Sequence, residues 1–134
     1  MANRGNTRVV SAEIQRDGRY LLVQRQSHAV MPDLWEFPGG RVRDGETDAV
    51  ALVRALRHRI GCDVTVVETL MEVTHAYEGY DLTLVVCRVD LDCEPRPAAV
   101  QQLAWVPPES FGDYPFPGAD QKTVELLLSA ESDD

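Results

Sequence analysis

No apolar run in the chain reaches the ~18 residues that a membrane-spanning helix needs. Met1–Arg8 is short and polar and no hydrophobic secretory core follows it, so export is not expected and the cytoplasm is the expected compartment. Positive charge is scarce: 13 Lys and Arg stand against 22 Asp and Glu, a net charge of −9. That balance disfavours generic attraction to duplex nucleic acid or an anionic membrane, and neither is expected as a partner. Cysteine is limited to Cys62, Cys87 and Cys93, an odd number without metal-ligand spacing. Reduced thiols are expected, with Cys62 and Cys87 as small core residues. The chain also lacks a P-loop, a dinucleotide G-x-G-x-x-G, a zinc pattern, an internal repeat and a linker. What remains is a single domain over residues 1–134, with frayed tails at 1–6 and 131–134. Its 44% hydrophobic content suffices for one ordinary core.

Strand signals come first. Thr7 to Gln15 and Arg19 to Arg25 read as strands joined at Asp17-Gly18, the strongest short hairpin signal available. Residues His28 to Pro32 read as a loop, and Trp35 to Phe37 as an extended piece that Pro38-Gly39-Gly40 stops. Thr47 then suits an N-cap and Gly61 a C-cap, with Ala49, Leu52, Val53, Leu56 and Ile60 at helical spacing between them. Asp63 to Tyr77 and Tyr80 to Asp90 read as a long antiparallel pair around Glu78-Gly79. A loop follows at Asp92 to Ala98, then a short strand at Gln102 to Val106 ended by Pro107-Pro108. Ser110 to Gly118 is irregular and aromatic-rich, and Asp120 to Ala130 reads as a final helix. This order argues for an α+β fold, an α/β/α sandwich around a mixed β-sheet.

The acids and bases are unevenly placed. Arg41, Arg43, Arg54, Arg57, His58 and Arg59 face only Asp44, Glu46 and Asp48 in the same stretch. A basic patch on an acidic protein suits a small anionic ligand better than a polyanion. Residues 55, 58 and 59 stand at i, i+3 and i+4 on the expected helix and share a face beside its apolar stripe.

The stretch from Trp35-Glu36-Phe37-Pro38-Gly39-Gly40 through Glu46 to Arg54, Leu56, Gly61 and Cys62 resembles the Nudix box, G-x5-E-x7-R-E-U-x-E-E-x-G-U, with U a bulky aliphatic residue. Gly40, Glu46, Arg54, Leu56 and Gly61 fall in register, whereas the three glutamates of R-E-U-x-E-E read Ala55, His58 and Arg59. The box is degenerate. The order of elements is that of the Nudix fold, so the resemblance covers nearly the whole chain. It implies a hydrolase of nucleoside polyphosphates in which the box holds Mg²⁺ while water attacks phosphorus. The implied ligand positions are the Gly39 carbonyl, Ala55, His58, Arg59 and Ala99, six residues before Trp105. Mg²⁺ takes hard oxygen ligands. Those side chains offer no carboxylate, so no cofactor is expected. Arg54, His58 and Arg59 instead form a candidate phosphate clamp, since guanidinium forks bind phosphate without metal; the alternative is a solvated charged face.

Trp35 to Gly40 matches the MutT-like branch closely. The resemblance implies that Phe37 lines a base pocket beside Gly39 and Gly40, that Arg25 contacts phosphate or sugar, and that Asp120 in Phe116-Pro117-Gly118-Ala119-Asp120 reads the base edge. An N-cap is the competing role for Asp120. Tyr80, Trp35 and Phe116 are stacking candidates, although aromatics in a small domain are more often core. His75 and Tyr77 share a strand face without a residue to complete a triad. The expectation is a pseudoenzyme of MutT-like fold that binds a nucleotide or its base and has lost Mg²⁺-dependent pyrophosphohydrolysis. The alternative is an active nucleoside triphosphate pyrophosphohydrolase, on an 8-oxo-dGTP or CTP-like substrate. It would use Mg²⁺ or Mn²⁺ at an unconventional site, Glu46 with Glu36, Glu72 or a metal carried in by the substrate. The resemblance also allows a homodimer, and no stretch of sequence marks its interface.

Overall fold

Two-residue turns set the hairpins. The computed structural model describes residues 5–29, 31–118 and 123–125. Asp17 and Gly18, with φ of 53° and 75°, turn β2 (Gln15–Arg16) into β3 (Arg19–Gln24). Two successive positive φ values match the right-handed twist of the flanking strands. Glu78-Gly79 turns β6 (Val64–Tyr77) into β7 (Tyr80–Leu91) with Gly79 alone at positive φ, 90°, closing on the pair Tyr77↔Tyr80. The first expected strand divides in two. β1 (Gly5–Glu13) lies in one sheet and β2 in the other, so the chain changes sheet at the buried Ile14.

β5 (Gly39–Arg41) pairs antiparallel with β1 through Val9↔Arg41, Val10↔Gly40 and Ser11↔Gly39. Pro38-Gly39-Gly40 was expected to end an extended piece; instead it starts a strand. The glycines permit this by their size. A Cβ on Gly39 would stand 2.1 Å from the Val10 carbonyl oxygen. The first sheet runs β5-β1-β7-β6, with β1 and β7 parallel and the other neighbours antiparallel. In the second sheet β3 pairs on one edge with β2 and β4 (Trp35–Glu36), and on the other with β8 (Gln102–Val106).

The helix α1 (Asp48–Ile60) starts where the Thr47 side chain accepts from the Val50 N–H at 3.1 Å, and ends where Gly61 turns left-handed at φ 59°. Asp48 in its first turn accepts a two-pronged bond from Arg8 of β1, at 2.7 and 2.8 Å, and Arg8 also reaches Glu72 of β6 at 2.9 Å. The buried stripe differs from the expected one. Ala49 is exposed and Val53 half-buried, while Ala51, Leu52, Ala55, Leu56, Arg59 and Ile60 are buried. Residues 55 and 59 are one turn apart and both point inward; residue 58 falls outside the stripe. That face meets Val10, Ala12, Val85 and Val89 of the first sheet and Leu21 and Val23 of the second in one core.

The mixed sheet and its helix make this an α+β fold, as expected. The final helix expected over 120–130 lies outside the described residues, except that 123–125 are helical. The aromatic stretch contains a 3-10 segment at Pro108–Asp113. No helix among the described residues is long and apolar enough to cross a membrane. The cysteine expectation needs correction. Cys87 is buried and free as expected, but Cys62 is paired with Cys93 in a disulfide, their Cα atoms 5.7 Å apart. The left-handed cap at Gly61 turns the chain toward the 92–100 loop and brings the two together.

Candidate functional site

Three of the singled-out positions converge at the C-terminal end of α1. The Arg59 Nε donates to the Gly39 carbonyl oxygen at 2.7 Å, and the side chain is buried at 8% exposure. The Arg59 carbonyl in turn accepts from Ala98 N at 3.1 Å and Ala99 N at 3.0 Å. Helix, β5 and the 92–100 loop therefore meet on one residue. Ala55, one turn earlier, packs under Gly40, where an added Cβ would stand 3.0 Å from the Ala55 Cβ.

A second node holds the loop before α1. Glu46 Oε2 accepts from Arg54 Nε at 2.7 Å and Oε1 from Arg54 Nη2 at 3.1 Å. Oε1 also accepts from Arg43 N at 2.8 Å, and Arg54 Nη2 donates to the Arg41 carbonyl at 2.8 Å. The Arg54 hydrogen bonds hold the Glu46 carboxyl below its usual range; burial opposes this and the Arg43 N–H adds to it. Of the three clamp candidates, Arg54 is thus engaged by Glu46 and the Arg41 carbonyl, His58 is exposed, and Arg59 points inward to Gly39. The structure does not gather them into one cluster.

Phe37 lies among aromatic rings. Its centroid is 5.7 Å from Phe116, 5.8 Å from Phe111 and 6.4 Å from Tyr20. Phe116 remains 37% exposed, so one side of this group faces solvent. Tyr20 and Phe111 were not foreseen. The signal for Tyr20 was its alternation with Leu22 on β3, which puts both on the outer face of the second sheet. Trp35, a stacking candidate, is buried edge-on against Tyr114 at 5.0 Å. Arg25 is buried and forms an ion pair with Glu36 at 3.1 Å.

Tyr80 sits elsewhere. Gly39 pairs with Ser11, whereas Tyr80 pairs with Gly5, six residues along β1 or about 20 Å away. Tyr80 stacks on Tyr77 at 5.3 Å, and Tyr77 lies 4.4 Å from His75. Burial raises the Tyr80 hydroxyl pKa, with the charge of Glu125 adding to it. Asp120, the base-edge candidate, lies outside the described residues.

Residues 9–126 match the family model of the NUDIX domain. The chain belongs to the Nudix family. It is similar to the CTP pyrophosphohydrolase of Escherichia coli (strain K12), 35% identical over 122 residues that cover 90% of each chain. An 8-oxo-dGTP diphosphatase of Proteus vulgaris is 41% identical over 63 residues, 47% of this chain and 56% of that one. Among solved structures, the E. coli ORF135 protein superposes with a TM-score of 0.75 at 34% identity, covering 94% of this chain and 91% of that one. The MutT Nudix hydrolase from Burkholderia pseudomallei gives 0.67 at 25% identity, over 92% and 96%.

Nudix membership implies a divalent metal at the box, and the residues at these positions do not fit one. The Ala55 and Ala99 side chains carry no ligand atom, His58 is exposed, and a guanidinium occupies the Gly39 carbonyl. Mg²⁺ needs several hard oxygens. The acids considered for an unconventional site are dispersed, each on a different arginine: Glu36 on Arg25, Glu46 on Arg54 and Glu72 on Arg8. Among the described residues, no group of three or more His, Cys, Asp or Glu side chains is placed to hold a metal ion.

Proposed function

We propose that this Nudix-family chain binds a nucleotide, or its base, without Mg²⁺-dependent pyrophosphohydrolysis. The observation that carries this reading is Arg59 Nε at 2.7 Å from the Gly39 carbonyl. A fixed, always-charged group stands at a position where the family resemblance places a metal ion. Positive charge is thereby kept beside the loop, but the ability to activate water is not, because a guanidinium offers no coordination position at which a water's pKa is lowered. The base side supports the same reading. Phe37, Phe111, Phe116 and Tyr20 form a partly open aromatic group, and Phe37 stands two residues before Gly39. Aromatic faces of this kind stack on nucleobases with little dependence on sequence. Asp120 is assigned the base-edge contact on the same reading.

The names of the relatives favour a second reading, hydrolysis of a CTP-like or 8-oxo-dGTP-like triphosphate to monophosphate and pyrophosphate. One experiment separates the two. Binding of a nucleoside triphosphate panel is measured by calorimetry in EDTA, and pyrophosphate release with Mg²⁺ or Mn²⁺. Binding that survives EDTA, weakens on Arg59→Glu and on Asp120→Ala, and is not accompanied by pyrophosphate release supports the non-hydrolytic reading. Unchanged affinity in both variants sinks it. Turnover by the wild type that is lost on Glu46→Gln establishes the hydrolase. Silence from the wild type, with turnover from the combined Ala55→Glu, His58→Glu and Arg59→Glu variant, would mark an intact substrate pocket beside a dismantled metal site.

A further inference from the structure

We propose that the Cys62–Cys93 pair is a site of reversible thiol–disulfide exchange, a redox-sensitive strap that ties the end of α1 to the 92–100 loop and through it steadies Arg59. The two Cα atoms are 5.7 Å apart, inside the range that a disulfide bridges without moving the backbone. The partners differ in access: Cys62 is 1% exposed, whereas Cys93 is exposed. The backbone bonds that dock this loop on the end of α1 form a short row. Asp92 N donates to the Asp63 carbonyl at 2.9 Å and Arg96 N to that of Ile60 at 2.9 Å, while Ala98 N and Ala99 N both donate to that of Arg59. The sulfur bridge stands within this row, between the Asp92 and Arg96 bonds, and Arg59, with its bond to Gly39, stands at the far end. The third cysteine does not compete. Cys87 is buried in the first sheet, and burial pushes its thiol pKa up, away from the reactive thiolate.

Exchange runs through Cys93, the exposed residue of the pair. A thiolate of a small dithiol attacks Cys93 Sγ, the bond to Cys62 breaks, and Cys62 leaves as a thiolate that takes up a proton. The second thiol of the reagent then attacks the mixed disulfide, freeing the Cys93 thiol and closing the reagent into a cyclic disulfide. Two electrons and two protons pass from the dithiol to the two cysteines. The reduced state is also accommodated, because the Cys93 carbonyl oxygen lies 3.0 Å from Cys62 Sγ and can accept from its thiol. A buried thiol beside an acceptor keeps a hydrogen-bond partner.

The test uses the full chain and needs no nucleotide, so its outcome is independent of the proposed binding function. Protein is oxidised with glutathione disulfide or reduced with dithiothreitol, then denatured, alkylated and mapped by mass spectrometry. The oxidised sample is expected to carry one alkylated cysteine, Cys87, and a peptide pair linked through Cys62 and Cys93. The reduced sample carries three alkylated cysteines. Hydrogen exchange at the amides of residues 96, 98 and 99 is expected to speed up by about tenfold on reduction, as local opening becomes easier. In Cys93→Ser it is expected to be fast with or without reductant. Three alkylated cysteines after oxidation, or a link through Cys87, would overturn the proposal. So would equal exchange in the two redox states of the wild type, a comparison that stands even if Cys93→Ser does not fold.

Discussion

Glu46 and Asp48 lie two residues apart and each accepts a two-pronged bond from an arginine, Arg54 for one and Arg8 for the other. In both, the arginine hydrogen bonds hold the carboxyl below its usual range. A carboxyl with a lower pKa folded than unfolded stabilises the fold above its unfolded value, and that stability is lost as pH falls through the folded value. Unfolding midpoints in urea are therefore expected to be flat near neutrality and to fall from about pH 5 downward. Glu46→Gln should cost about 1–2 kcal/mol at pH 7, a charge-assisted pair discounted for partial exposure, and should flatten the acid limb. A variant whose acid limb matches the wild type would show that Arg54 does not depend on Glu46. Arg59 behaves differently because it points inward. Arg59→Met keeps the apolar stem and removes the donor to Gly39, so a buried carbonyl loses its partner at a cost of about 1–3 kcal/mol. Chemical denaturation of that variant, with no ligand present, measures the structural share of Arg59.

The 13-residue helix α1 shows how a single element is specified at both ends and overridden in the middle. Thr47 and Gly61 were legible as caps because each acts through its own backbone neighbourhood: a hydroxyl facing Val50 N, and a left-handed φ of 59°. Truncating the first, Thr47→Ala, should cost about 1 kcal/mol. Gly61→Ala should cost about 1–2 kcal/mol for the left-handed turn, and more if the Arg96 guanidinium, 2.7 Å from the added Cβ, cannot move aside. The two sites lie about 20 Å apart along the helix. The double variant should therefore equal the sum of the singles to within about 0.5 kcal/mol, as read from denaturant midpoints. A clear shortfall would mean that the helix frays as a unit. The middle was less legible. Helical spacing put residues 55, 58 and 59 on one face, yet it could not show that Gly39 would offer Arg59 a buried carbonyl, because that partner is 20 residues away in sequence.

At the scale of the whole molecule, the elements read well and their assembly did not. Asp17-Gly18 and Glu78-Gly79 signal hairpins by local chemistry, and both are present. The switch of sheet at Ile14, the parallel pairing of β1 with β7 and the placing of Gly39-Gly40 against β1 depend on partners distant in the chain. Tyr80 was grouped with the base pocket because sequence carries no register between distant strands; its pairing with Gly5 puts it at the far end of the sheet. The cysteine pair is a further case, since a separation of 31 residues gives no pattern to read. That separation does set its energetic effect. Cross-linking a loop of this length removes enough entropy from the unfolded chain to stabilise the fold by about 3–4 kcal/mol in the chain-entropy model. For a domain of this size that corresponds to a midpoint shift of about 10 °C. Thermal unfolding with and without dithiothreitol should show that drop in the wild type and none in Cys93→Ser, whose midpoint should sit near that of the reduced wild type. The added reductant cannot by itself explain such a pattern, because it is present in both arms. Equal midpoints for oxidised and reduced wild type would mean that the unfolded chain already keeps Cys62 and Cys93 close, so that the bond constrains nothing the chain would otherwise explore.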